Sequence, residues 1–140
     1  KPDYQDAELT LRLYELRRET VMRTSRNAMF KDFWPQSYAD LLAVSDPKHP
    51  LNSAFRQVSS YWEMVYGMAK HGICHVEYLL ESSGEGLFLY AKVLPYLEQF
   101  RKEVSPTAFQ NAEWITTKVP AGAKRLEGVQ ARVKTMAGKL

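Results

Sequence analysis

Between Leu51 and Ala69 the apolar side chains recur at steps of three and four: Leu51, Phe55, Val58, Trp62, Val65 and Ala69. On a helix of 3.6 residues per turn they form one narrow stripe. Arg56, Ser60, Glu63 and Lys70 fall on the other side. The pattern predicts an amphipathic helix anchored in the core by Trp62. Gly72 stands where a left-handed C-terminal cap is expected.

From Asp6 to Phe33 there is no Gly and no Pro, so the chain is expected to run as one long helix. Asp3 or Asp6 suits its start, and Glu8 suits the positive end of its dipole. Trp34-Pro35 ends it. Leu9, Leu13 and Leu16 lie on one side, with Leu11, Met22 and Met29 nearly opposite. A helix apolar on two sides is sandwiched, either within the domain or across an oligomer contact.

Ser37 caps a short helix through Val44, and Asp46-Pro47-Lys48-His49-Pro50 reads as a loop. Cys74 to Leu80 reads as a short helix, followed by a turn at Glu81-Ser82-Ser83-Gly84. Leu87, Tyr90, Ala91, Leu94, Leu97 and Phe100 again step by three and four. Pro95 either kinks one helix there or opens a second. Ser105-Pro106 is expected to open a further helix with Phe109, Ala112 and Ile115 on its apolar face, closed by Val119-Pro120. Ala123, Leu126, Val129, Val133, Met136 and Leu140 make the last stripe. Leu87–Val93 and Ile115–Val119 have strand-like composition but do not alternate cleanly, so both read as helical. The expected fold is all-α, an irregular bundle of six or seven helices. It forms a single domain over residues 1–140, with the first helix and the Leu51 helix packed at the centre.

The length agrees with one domain. A chain of 140 residues buries roughly two thirds of its unfolded surface, enough to fold without metal or disulfide. Cys74 is the only cysteine, so no intrachain disulfide is expected. The net charge is +3. The excess lies at the C-terminus, where Lys124, Arg125, Arg132, Lys134 and Lys139 face only Glu127. That helix could dock an acidic groove, lie on anionic lipid or nucleic acid, or simply turn its charges to solvent. It has no Trp or Phe on its apolar side and no interleaved aromatics for base stacking. The solvated-face reading is therefore preferred, and nucleic acid is not an expected partner. No stretch reaches the roughly 18 apolar residues of a membrane span, and no signal peptide is visible. A chain beginning Lys1-Pro2 is expected to be trimmed or processed. The localisation expectation is cytoplasmic, or membrane-tethered through a segment ahead of Lys1.

Sites with recognisable chemistry are few. His71 and His75 are four apart, but a helix ending at Gly72 would separate them, and Cys74 has no Cys-x-x-Cys partner. No metal and no cofactor are expected. Cys74 with His71 or His75 is the sole candidate nucleophile set, and sequence neighbours rarely form a working dyad. Gly84-Glu85-Gly86 is a turn whose acid opposes phosphate binding. No catalytic residue is assigned, and an enzyme is not expected. Arg23 and Arg26, three apart, are neighbours on the first helix beside Met22, Met29 and Phe30. Arginine next to a buried face calls for a carboxylate, with Glu63 and Glu77 the candidates. Arg23, Arg26, Tyr61 and Glu63 therefore form the candidate binding set. Its functional reading is a small-ligand or anion site, and its structural reading an ion pair that fixes helix docking. The second is preferred.

Three stretches taken together resemble a known group: Leu11-Arg12-Leu13-Tyr14-Glu15-Leu16-Arg17-Arg18, Val58-Ser59-Ser60-Tyr61-Trp62-Glu63-Met64 and Tyr90-Ala91-Lys92-Val93-Leu94-Pro95. The chain resembles an uncharacterised family of small all-helical bacterial proteins, some with a membrane segment ahead of this domain. The resemblance implies a bacterial source, a helical domain and an anchor upstream of Lys1. It carries no activity and no functional residue. The functional expectation is a non-enzymatic interaction or scaffold domain, self-associating through the two-sided first helix. A homo-oligomer or another protein is the expected partner. Membrane contact is expected only through an upstream segment or weakly through the basic C-terminal helix.

Overall fold

The computed structural model describes all residues from Lys1 to Leu140 and is all-α, with nine α-helices and one 3₁₀ turn. In chain order these are α1 (Tyr4–Arg18), α2 (Thr20–Lys31), α3 (Tyr38–Val44), α4 (Asn52–Lys70), α5 (Val76–Ser82), α6 (Gly86–Val93), α7 (Leu97–Glu103), α8 (Gln110–Thr117) and α9 (Pro120–Ala137). Two breaks raise the count above the expected six or seven. Pro95 sits in a 3₁₀ turn, Leu94–Tyr96, that separates α6 from α7. The other break divides the expected helix from Asp6 to Phe33.

That division falls at Glu19, whose backbone is extended (φ −59°, ψ 144°). Its carboxylate accepts the N–H groups of Val21 at 3.1 Å and Met22 at 3.0 Å and so caps α2 from within the run. The change of direction dissolves the two-sided helix. Leu13 on α1 and Met22 and Met29 on α2 all reach the same core, while Leu11 and Leu16 stay exposed.

The centre is α4, flanked by α2 on one side and α8 on the other. Phe55, Val58, Trp62, Val65 and Ala69 are all buried, with Trp62 at 4% exposure. Tyr66 stacks on Trp62 (centroids 5.6 Å apart) and Tyr61 meets it edge-on (5.0 Å). Gly86, the first residue of α6, lies so close to the indole that a Cβ there would stand 2.5 Å from Trp62 Cγ. α4 ends in a Schellman motif: Gly72 is left-handed (φ 73°), Ile73 N–H donates to the Met68 carbonyl and Gly72 N–H to the Ala69 carbonyl.

α9 covers α6 and α8. It crosses α8 at Gly122, where a Cβ would meet the Ile115 carbonyl oxygen at 1.9 Å. Leu126 and Val129 pack on the core, and Lys124, Lys134 and Lys139 lie on the exposed side. The expected solvated face is interrupted: the Arg125 guanidinium turns in to the Leu80 carbonyl, and that of Arg132 lies 5.8 Å from the centre of the Phe88 ring. No helix is long and apolar enough to cross a membrane.

Candidate functional site

Arg23, Arg26, Tyr61 and Glu63 do not converge. Arg23 is exposed and makes no ion pair. Arg26 forms a two-pronged pair with Glu85, Nε to Oε2 at 2.6 Å and Nη2 to Oε1 at 2.7 Å. Its third nitrogen, Nη1, donates to the Arg17 carbonyl near the end of α1 at 3.1 Å. The partner is therefore Glu85, not Glu63 or Glu77, and the pair ties α2 to the start of α6. Tyr61 turns towards α1, its hydroxyl donating to the Leu13 carbonyl at 2.5 Å. Burial pushes the Tyr61 phenol above its ordinary pKa.

Glu63 belongs to another face of α4. Its two carboxylate oxygens accept the backbone N–H groups of Asn111 and Ala112, each at 2.9 Å. Those N–H groups are in the first turn of α8, so a carboxylate from α4 occupies that helix's anion site. Burial pushes the Glu63 pKa up, against the pull of the two N–H groups. The expected start of α8 at Ser105-Pro106 is thereby corrected. Residues 106–109 are turn, Phe109 is left-handed (φ 58°), and the helix begins at Gln110.

The same arrangement recurs with cations at the opposite ends. Arg125 Nη1 donates to the Leu80 carbonyl at 2.9 Å, Arg17 Nη1 to the Ser82 carbonyl at 3.2 Å and the Tyr66 hydroxyl to the Ser83 carbonyl at 3.0 Å. Together they satisfy the C-terminal end of α5. At its N-terminal end Asp6 accepts the His75 N–H at 2.8 Å, and His75 Nδ1 accepts the Tyr78 N–H at 3.2 Å. His75 is thus a helix cap. No group of three or more His, Cys, Asp or Glu side chains could hold a metal ion. Cys74 is buried, and burial with the neighbouring Asp6 carboxylate raises its thiol to about 11.

Lys92 is the residue that sequence reasoning missed. It is 4% exposed and has no carboxylate partner. Its Nζ donates to the carbonyls of Met29 (2.8 Å), Phe30 (3.3 Å) and Phe33 (2.7 Å), and it lies 3.6 Å from the centre of the Trp34 ring. It caps the C-terminus of α2 from inside the core, against an aromatic face. Burial lowers its pKa to about 7.

Two concavities remain. A cavity of about 260 Å³ lies between α2, α4 and α6, with Met29, Val58, Trp62 and Leu89 in its walls and Arg26 and Glu85 beside them. The Trp62 indole N–H is buried and has no acceptor. The larger concavity is an open cleft of about 830 Å³ along α4, walled on its far side by the segment from Ser105 to Asn111.

Residues 3–119 match the sequence profile described as a domain of unknown function, DUF4760. The chain belongs to the DUF4760 family. The matched part of this DUF4760 domain stops one residue before α9, so it holds Glu63, Glu85, Lys92 and both concavities but not Arg125. The resemblance to an uncharacterised helical family is thereby placed on a named family. No curated protein and no solved structure matches the chain.

Proposed function

We propose that this DUF4760 domain is a non-enzymatic interaction domain that associates with a second copy of itself. The observation that carries the reading is the outer face of α1. Tyr4 is 76% exposed and Leu11 62%, about two turns apart on one side, with Tyr14 beside them at 45%. Aromatic and aliphatic side chains left outside a helix that buries only Leu13 are contact material. The charged groups that could otherwise do chemistry are engaged at helix ends, which supports a binding role over a catalytic one. Size-exclusion chromatography with light scattering tests the reading. The wild-type chain should gain mass with concentration, and Leu11→Glu should remain a monomer. A wild-type monomer at high concentration would remove self-association.

A second reading rests on the cavity beside Arg26. Its apolar walls beside the Arg26–Glu85 pair suit a small amphiphile. Titration with benzoate and decanoate should raise the melting temperature of the wild-type chain but not of Leu89→Trp, which fills the cavity. Equal shifts in both proteins would remove this reading.

A further inference from the structure

The open cleft along α4 is polar. Here Ser53, Arg56, Gln57, Ser105, Thr107 and Gln110 line an open channel, and none of their side chains takes part in an intrachain hydrogen bond. Only Ser59 and Ser60 on α4 turn their hydroxyls back to their own helix, to the Phe55 and Gln57 carbonyls.

The length of the channel limits the occupant. From Ser53 to Met64 the α4 wall spans eleven residue steps, about 16 Å at 1.5 Å per residue. An extended chain rises about 3.3 Å per residue, so that length matches about five residues of it.

The chemistry of the lining narrows it further. Hydroxyls and carboxamides, each able to accept or donate, match the alternating N–H and C=O groups of an extended backbone. The rings beneath, Phe55, Phe100 and Phe109, are only 7%, 4% and 7% exposed, so no aromatic face is open for a sugar ring to stack on. Arg56 is the one cation in the lining, and the one carboxylate, Glu63, is engaged by the α8 N–H groups. The far wall is a strained segment. Phe109 holds a left-handed conformation that bulky side chains rarely adopt, and it stays there because its ring packs on Phe55 and Tyr90.

We infer that this cleft receives an extended segment of another polypeptide, about five residues long, with an acidic side chain set against Arg56. The site shares no residue with the outer face of α1, so it stands or falls separately from self-association.

The test is to pan short linear peptides displayed on phage against the full chain. The selected peptides are then made synthetically and their affinities measured by fluorescence anisotropy. Ser60→Trp blocks the channel, Arg56→Glu reverses its charge and Leu11→Glu is a control outside it. All three positions are exposed, and the melting temperature of each variant is checked against wild type. Selected peptides should carry Asp or Glu. They should bind at least about tenfold more weakly to Ser60→Trp and to Arg56→Glu, and unchanged to Leu11→Glu. Failure to enrich any peptide over the Ser60→Trp protein, or equal binding to wild type and the channel variants, would overturn the inference. So would binding of chitohexaose that Ser60→Trp abolishes, since that would make the occupant a glycan.

Discussion

Glu63 and Asn111 hold each other by their backbones. Asn111 N–H donates to the Glu63 carboxylate, and the Asn111 side-chain amide donates to the Glu63 carbonyl, both at 2.9 Å. Gly67, one turn on, leaves room for the Asn111 side chain, because a Cβ there would lie 2.8 Å from Asn111 Nδ2. This contact has the general form of polar interactions in the domain. Carboxylates such as Glu63 and Glu19 meet helix N–H ends, while Lys92, Arg17 and Arg125 meet helix carbonyl ends. The sign follows the helix dipole in each case. Irregular bundles of short helices have many such ends, and each leaves four orphan groups to satisfy.

Lys92 makes stability depend on pH in an unusual direction. Its pKa is about 7 in the fold, against an ordinary value of 10.5. Between those values the unfolded chain binds more protons than the native one, so stability rises with pH. Cys74 acts oppositely from pH 9 upward, because its thiol is raised from 9.0 to about 11 and the native state there keeps the extra proton. The clean window is therefore pH 7 to 9. Urea unfolding should show a gain of up to about 2 kcal/mol across it in the wild-type chain. Lys92→Met should show no such gain.

Two glycines of α9 should respond in opposite senses to the same substitution. At Gly122 an added methyl meets the Ile115 carbonyl oxygen, while at Gly128 it meets nothing within 4 Å. Gly122→Ala should cost about 3 kcal/mol by forcing α9 off α8. Gly128→Ala should add roughly 0.5–1 kcal/mol through helix propensity. Thermal melts of the two variants beside wild type read both effects.

Phe109 should reverse the usual order of alanine and glycine. Both substitutions remove the ring from Phe55 and Tyr90, but only glycine adopts φ 58° without strain. Phe109→Gly should therefore be more stable than Phe109→Ala by about 1 kcal/mol, although both fall below wild type. Denaturant midpoints of the pair give the comparison directly.

What could be read in the sequence was what is local. The stripe from Leu51 to Ala69 needs only periodicity, and it appears as α4 with Trp62 at the core. Gly72 as the cap needs only its position. The break at Glu19 was hidden, because glutamate is a good helix former and its carboxylate caps two residues further on. Pro106 looked like a helix start, but the true start is set by Glu63, 48 residues from Asn111. The Arg26–Glu85 pair spans 59 residues, so no spacing rule reaches it. Lys92 did leave a trace: every residue of α6 is buried, and a lone charge in the apolar run from Leu87 to Leu94 has no polar face to occupy. The cleft along α4 left none, since Ser53, Arg56, Gln57 and Ser60 look like any solvated helix face until the segment from Ser105 to Asn111 is folded opposite them.

The central claim is that these charges fasten helix ends. The most direct measurement is native-state hydrogen exchange at the amides of Asn111 and Ala112 in wild type and Glu63→Ala. If the carboxylate caps α8, both amides are protected in the wild-type chain. In the variant they should lose about 10- to 100-fold of that protection, equivalent to about 1–3 kcal/mol, while the amides of α2 exchange as before. Unchanged protection at Asn111 and Ala112 in Glu63→Ala would contradict the account.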